Sequence, residues 1–137
     1  GPEMRSRVGH RMPLARTGIG KALLLDDSVE EWQRLYQVSL PVGGKNLQWP
    51  QHPEQSWAQF EHRMQEYVAG GYAFDLEDNE PSIRCVAAPV RDASRRIVAG
   101  ISIASTVPYM PLEKMAELIP VVKQVAARLS AELGAKA

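Results

Sequence analysis

The sequence predicts a single α+β domain, in which helices and antiparallel strands occur in separate runs. Three helical patterns come first, two strand patterns joined by a short turn follow, and one long amphipathic helix ends the chain. The 137 residues are the length of one ordinary domain, and 45% hydrophobic with 23% charged residues is typical of a globular chain. Since strands and helices do not alternate, a doubly wound βαβ sheet is not predicted.

Two short helices are predicted first. Thr17 is the expected N-cap of the first, whose opening turn holds Gly18 and Gly20. Glycines in a helix cost about 1 kcal/mol each relative to Ala, so their presence indicates that something lies close to the backbone. Ser28 and Glu31 fit the spacing of a capping box and predict the start of the second helix.

The middle of the chain is predicted to be a loop followed by a third helix. Residues 41–53 hold three prolines and two glycines, which is typical of a loop. Residues 57–68 repeat apolar side chains at helical spacing, and Gly70 with Gly71 ends that helix in the manner of a C-cap.

A strand hairpin and a long helix are predicted for the rest. Residues 72–75 are expected to be extended, and residues 83–90 and 96–105 read as two strands of a hairpin. Residues 111–133 form an amphipathic helix that Pro120 is expected to bend or to break in two.

Composition excludes several classes of protein. The 16 basic and 16 acidic residues cancel, which removes the simplest argument for a nucleic-acid surface on this chain. The single Cys85 excludes an intramolecular disulfide framework. The longest nearly apolar stretch, residues 97–104, is far shorter than the roughly 20 residues of a membrane helix, and no secretory signal is seen. A cytoplasmic protein is therefore expected.

No catalytic or metal-binding set stands out. The three histidines are isolated from one another and from Cys85 in sequence, so neither a metal site nor a Cys–His pair is predicted. Cys85 is interpreted as a small hydrophobic residue in a core or pocket wall. The acidic residues that follow the third helix lack the spacing of a calcium loop and are interpreted as a solvated turn: Asp75, Glu77, Asp78 and Glu80.

One feature favours a binding module over an enzyme. The backbone N–H groups of Thr17 to Gly20 open a helix, and the start of a helix favours negative charge. An anion as small as a carboxylate fits such a turn. The alternative, a tight turn packed against the sheet, is equally compatible with these residues alone.

The ends of the chain suggest a piece of a longer protein. Gly1 and Pro2 are typical of what a protease leaves after removing a tag, and residues 1–4 are excluded from the domain, which is taken as residues 5–137. The alternative is a complete small protein with a short basic N-terminus.

Three stretches carry a more specific signal. They read RVGHRMPL running into TGIGKALL, GYAFDLEDNE running into IRCVAAPV, and IVAGISIA. In this order and at these separations they resemble the effector-binding domain of IclR-type bacterial transcriptional regulators. The likeness covers nearly the whole chain, and the final helix fits the C-terminal helix of that family.

The resemblance implies a GAF-like fold, an antiparallel sheet flanked by helices, with the first elements of the domain missing. It implies that the DNA-binding winged helix-turn-helix is also absent, so that DNA is contacted only through that missing part. The implied partners are a small organic acid effector and further copies of the chain, in dimers or tetramers, with no cofactor and no membrane. The loop at residues 41–53, whose Trp49 lies near Trp57 in sequence, is a candidate surface between copies.

The resemblance also implies a site beside the sheet. The backbone amides of Gly18 and Ile19 would meet the effector's carboxylate. The remaining site residues carried over from the family are Asp75, Cys85, Ser102, Ala104, Met12 and Leu14. Met12 and Leu14 would form apolar wall. Ala104, Ser82 and Arg95 depart from the family, which often has Ser at the first position and Gly at the other two.

Two other functions remain open from the sequence. One is a GAF-fold enzyme that uses cysteine redox chemistry, which needs a reactive thiol and usually a resolving partner. The other is an oligomerisation domain without ligand, which predicts a filled interior beside Gly18 and Gly20.

Overall fold

The computed structural model describes residues 14–39 and 56–136 of the chain. The described part is an α+β domain of helices and a three-stranded antiparallel sheet, as the sequence predicts. In chain order its helices and strands are α1 (Gly18–Leu23), α2 (Val29–Val38), α3 (Trp57–Gly70), β1 (Ala73–Leu76), β2 (Ile83–Arg91), β3 (Ile97–Thr106) and α4 (Leu112–Glu132). A single 3-10 turn, Val107–Tyr109, joins β3 to α4.

The sheet has the order β1-β2-β3, and β2 and β3 form the predicted hairpin. Asp92 organises the hairpin turn, because one of its carboxylate oxygens accepts hydrogen bonds from the backbone N–H groups of Ser94 and Arg96. The register shifts between Val90 and Arg91, so the hairpin is irregular near its turn.

The strands separate two layers of helix. Because side chains alternate along a strand, Cys85 and Ala87 of β2 face the core shared with α1, α2 and α3, whereas Val86 and Ala88 face the core shared with α4. Both cores are well buried, and Met64 and Met115 are fully buried at their centres.

Side-chain caps explain where the helices begin. Thr17 accepts a hydrogen bond from Gly20 N, and Ser28 accepts one from Glu31 N. The Glu31 carboxylate itself is bonded to Arg34. The complete capping box lies at the start of α3, where Ser56 and Gln59 bond each other's backbone.

Of the two alternatives expected at Pro120, a bend or a break, the break does not occur, because α4 runs as one helix of 21 residues through the proline. Pro120 lies on the exposed side of α4, and so does Ala116 one turn earlier. The carbonyl that loses its N–H partner therefore faces water, which can satisfy it.

Two of the positions where the sequence departs from the family have left-handed backbone. Ser82 has a φ of 65° and Arg95 a φ of 66°. Glycine is the residue that adopts this conformation without steric cost, which accounts for its frequent use there in the family.

Some expectations fall outside the described residues, namely those for Met12 and for the loop containing Trp49. Trp57, at the first position of α3, is partly buried and packs its ring against Tyr36 and Phe60 of the same chain.

Candidate functional site

A cavity of about 280 Å³ lies between the start of α1 and the sheet. Its lining combines polar and apolar side chains from α1, all three strands and the turn between β1 and β2. The lining residues are Thr17, Gly18, Ile19, Asp75, Asn79, Glu80, Ile83, Cys85, Ser102 and Ala104.

Strand register builds the floor of this cavity. Asp75 of β1 pairs with Cys85 of β2, and Cys85 pairs with Ala104 of β3, so these three residues form one row across the sheet. Ser102 and Ile83 lie two residues away along their strands and therefore face the same side. The small side chain of Ala104 leaves room for the cavity on the β3 side of this row.

Close contact between α1 and the sheet forms one wall. A Cβ at Gly18 would lie 2.3 Å from the sulfur of Cys85, so only glycine fits at this point. The Ile19 side chain in turn lies over Gly100 of β3, where a Cβ would approach Ile19 Cγ2 to 3.0 Å. The two glycines fix α1 against β2 and β3.

Fewer backbone N–H groups at the start of α1 are available to a ligand than the sequence suggests. The Gly20 N–H donates to Thr17 Oγ1 at 2.9 Å, and the Gly18 N–H is hydrogen-bonded to the Cys85 sulfur. The expectation that the whole turn is uncovered is therefore wrong at these two glycines. The turn packs on the sheet and also borders a cavity, and its binding of an anion stays a prediction.

Cys85 is poorly suited to redox chemistry. It is buried, and this burial, together with the nearby carboxyl of Asp75, raises the pKa of its thiol to about 12. A thiol in that state is protonated near neutral pH and is a weak nucleophile.

The acidic segment after β1 is not a solvated turn, which corrects the sequence interpretation. Lys21 of α1 is 2% exposed, and its Nζ lies 2.5 Å from Asp78 Oδ2 and 2.8 Å from the carbonyl oxygen of Phe74. Burial raises the pKa of Asp78, but the charge and the hydrogen bond of Lys21 lower it more, so the net pKa lies below the usual value. Glu80 is also buried, at the edge of the cavity.

Asp75 is a buried carboxyl on the cavity floor. Its Oδ1 accepts the backbone N–H of Asp78 at 2.8 Å. Burial raises the pKa of Asp75, Lys21 lowers it and Asp78 raises it again, and the result is a pKa of about 7. Asp75 therefore changes charge near neutral pH.

The structure brings six of the eight predicted site residues together around this cavity. They are Gly18, Ile19, Asp75, Cys85, Ser102 and Ala104. Leu14 is 41% exposed and is not among the lining residues, so the expected apolar wall is supplied by Ile83 instead. Met12 lies outside the described residues.

Sequence reasoning did not select Ile83, Asn79 or Glu80. Ile83 could have been found, because it precedes Cys85 by two residues in a strand and must share its face. Asn79 and Glu80 carry no such signal, since a polar turn gives no indication that it folds over a neighbouring helix.

The described ranges hold no candidate for a metal site or for a membrane-spanning helix. No group of three or more His, Cys, Asp and Glu side chains there is arranged to hold a metal ion. No helix in residues 14–39 or 56–136 has the length and hydropathy to cross a membrane.

These features define a class of protein, an α+β domain with a cavity of small-molecule size between a helix start and its sheet. The family model for the C-terminal part of the bacterial transcriptional regulator IclR matches residues 2–131. The chain belongs to this family of transcriptional regulators.

Individual relatives agree with the family match. KdgR of Escherichia coli K12, an HTH-type transcriptional regulator, is 29% identical over 134 residues, which are 96% of this chain and 48% of that protein. XynR of the same organism, also an HTH-type transcriptional regulator, is 30% identical over 132 residues, 94% of this chain and 49% of that protein. The chain thus spans about half the length of these relatives.

Solved structures show the same fold. The repressor BlcR of Agobacterium tumefaciens superposes with a TM-score of 0.80 at 28% identity, covering 97% of this chain and 51% of that one. IclR of Thermotoga maritima superposes with a TM-score of 0.75 at 28% identity, covering 96% and 51%.

Proposed function

We propose that this domain is the effector sensor of a DNA-binding transcriptional regulator and that its effector is a small organic acid. The cavity between α1 and the sheet is the observation that carries the proposal. Its volume of about 280 Å³ lies just below the usual range for ligand pockets, roughly 300–1,000 Å³, and so favours a compact ligand.

The lining suits a ligand with one polar and one apolar end. Asn79 and Ser102 supply polar side chains to the lining, and the Ser102 hydroxyl is also hydrogen-bonded to the Cys85 sulfur. Ile83 and Ala104 offer apolar surface on the same floor. Ala104 supplies no hydroxyl where many family members have one, which favours a ligand whose apolar part lies over β3.

The regulatory role is proposed from the likeness to relatives. KdgR and XynR are named as HTH-type transcriptional regulators, and about half of each lies outside the match. We assign the reading of DNA to that other half. Effector binding regulates only if it favours one arrangement of subunits, and a coupling of about 1–3 kcal/mol is enough for a useful switch.

The other two functions have less support. A redox enzyme requires a reactive thiol, and the Cys85 thiol is buried with a raised pKa. A ligand-free oligomerisation domain predicts an interior filled with side chains at the start of α1, where the cavity lies.

Filling the cavity tests the proposal. Ala104→Leu places a large side chain on the cavity floor, and Ala99→Leu makes the same change at another exposed position of β3, on the opposite face of the sheet. Calorimetry with pyruvate and benzoate is expected to show binding to the wild type and to Ala99→Leu, with affinity at least about tenfold weaker in Ala104→Leu. Sedimentation velocity of the same samples measures whether the ligand changes self-association. Equal affinity in both variants would mean that the acid binds elsewhere.

A further inference from the structure

Acidic side chains lie close to the wall between the cavity and α1. The Lys21 ammonium of this wall is bonded to the Asp78 carboxylate. Asp78 Oδ2 also accepts the backbone N–H of Leu76 at 3.1 Å, so the Lys21–Asp78 pair is well supplied with hydrogen bonds. Its two charges cancel.

Asp75 stands beside this neutral pair and is 5% exposed. Several groups face it or its neighbour Asp78 from the surrounding elements. The groups that face Asp75 are Lys21 from α1, Asp78 and Glu80 from the β1–β2 turn, and Cys85 from β2. Arg63 and Tyr67 from α3 interact electrostatically with Asp78. The Nε of Arg16 donates a hydrogen bond to the backbone carbonyl of Asp78. Because Lys21 makes its ion pair with Asp78, ionisation of Asp75 adds a negative charge beside the cavity.

A carboxylate in so small a cavity would lie close to Asp75. Like charges near each other repel more strongly where one of them is buried, as Asp75 is, and the usual result is that one of them takes up a proton. The ligand's own carboxylic acid is the stronger acid when it is a 2-oxo acid, so the proton belongs on Asp75.

We propose that the cavity takes up an organic acid together with one proton from solvent, which the Asp75 carboxylate binds. This inference rests on the proposed function of the cavity as an acid sensor. Asp75 in its protonated form can also donate a hydrogen bond to the bound carboxylate. Because the pKa of Asp75 is about 7, its carboxylate can bind this proton from solvent near neutral pH.

Calorimetry on the wild-type chain tests the proposal without any variant. Pyruvate is titrated at about pH 7.5 in phosphate and in Tris, whose ionisation enthalpies differ, and the difference between the two observed enthalpies gives the protons taken up. We expect uptake of most, but not all, of one proton per ligand, because part of Asp75 is already protonated at this pH, and an affinity that falls by up to about tenfold per pH unit above pH 7. The neutral analogue pyruvamide serves as the control ligand, with no proton uptake expected.

Asp75→Asn provides the matched protein control. The asparagine oxygen can still accept the Asp78 N–H, and its amide can donate where the protonated acid would. This variant should bind pyruvate with an affinity that does not depend on pH. Pyruvate binding by the wild type without proton uptake overturns the inference alone. Absence of pyruvate and benzoate binding even at about pH 5.5, where Asp75 is protonated, overturns the proposed function and this inference with it.

Discussion

Gly18 is the residue that sets the distance between α1 and the floor of the cavity. A Cβ there would lie 2.3 Å from the Cys85 sulfur and 3.4 Å from the Ala87 Cβ. The sulfur is therefore the one severe obstacle, and the other neighbours are at ordinary contact distance. A larger residue at Gly18 thus tests the packing of α1 and not the binding of a ligand.

Gly18→Ala is expected to destabilise the protein by about 1–3 kcal/mol, because overpacking forces α1 away from β2. Cys85→Ala removes the sulfur, so the double variant Gly18→Ala/Cys85→Ala should be more stable than the sum of the two single changes predicts. Urea unfolding of the four proteins measures this coupling, which should be about 0.5–3 kcal/mol in favour of the double variant. Purely additive effects would mean that the Cys85 sulfur is not what excludes a side chain.

Single residues also show where sequence reasoning succeeds and where it stops. Of the six site residues found around the cavity, Gly18 and Ile19 also had a local signal, a glycine-rich helix start, whereas Asp75, Cys85, Ser102 and Ala104 came from the resemblance to the family. Lys21 and Asp78 gave no such signal. They are 57 positions apart, and a lysine or an aspartate is ordinarily expected at the surface until a partner is known.

The junction between α4 and the hairpin is the clearest case at the scale of elements. Ser130 of α4 is buried, and its Oγ accepts the backbone N–H of Arg91 at 2.9 Å while donating to Ala126 O at 2.7 Å. Arg91 lies at the register shift of the hairpin, where the regular ladder between β2 and β3 is interrupted. Ser130 thus supplies the partner that the sheet does not.

Ser130→Ala should cost about 1–2 kcal/mol, because the Arg91 N–H loses its acceptor. Hydrogen exchange monitored by NMR is expected to show faster exchange at Arg91 and little change at the middle of β2. Ser130→Thr keeps the hydroxyl and should preserve the protection of Arg91. Unchanged protection in Ser130→Ala would show that Arg91 has another acceptor.

The sequence predicted which helices and strands are present better than it predicted where they end or whether α4 is continuous. The hairpin and all four helices were expected, because amphipathic spacing and caps are local properties. For Pro120 the sequence left a bend and a break as alternatives, since sequence alone does not tell whether the freed carbonyl faces water or protein. The burial of the β1–β2 turn was missed for a similar reason, because it depends on the position of α1.

At the scale of the whole molecule, two ion pairs link α1 and the turn after it to the β1–β2 turn and to β2. The Asp26–Arg91 pair is bidentate but largely exposed, with N···O distances of 2.6 and 3.0 Å. The Lys21–Asp78 pair lies in the interior. Exposed pairs contribute about 0–1 kcal/mol, whereas removing one partner of a buried pair costs about 3–5 kcal/mol, because the remaining charge is left uncompensated.

This contrast predicts which pair the fold depends on. Lys21→Met should destabilise the protein by about 3–5 kcal/mol, a large part of the 5–15 kcal/mol typical of a domain, and should loosen α1 together with the cavity wall. Adding Asp78→Asn removes the orphaned charge while keeping an acceptor for the Leu76 N–H, so the double variant should recover much of the loss. Asp26→Asn is the control at the exposed pair and should cost about 1 kcal/mol or less. Urea unfolding compares all four proteins. If Lys21→Met costs no more than Asp26→Asn, α1 is held to the sheet by apolar packing alone, and the charge balance assigned to the cavity wall is wrong.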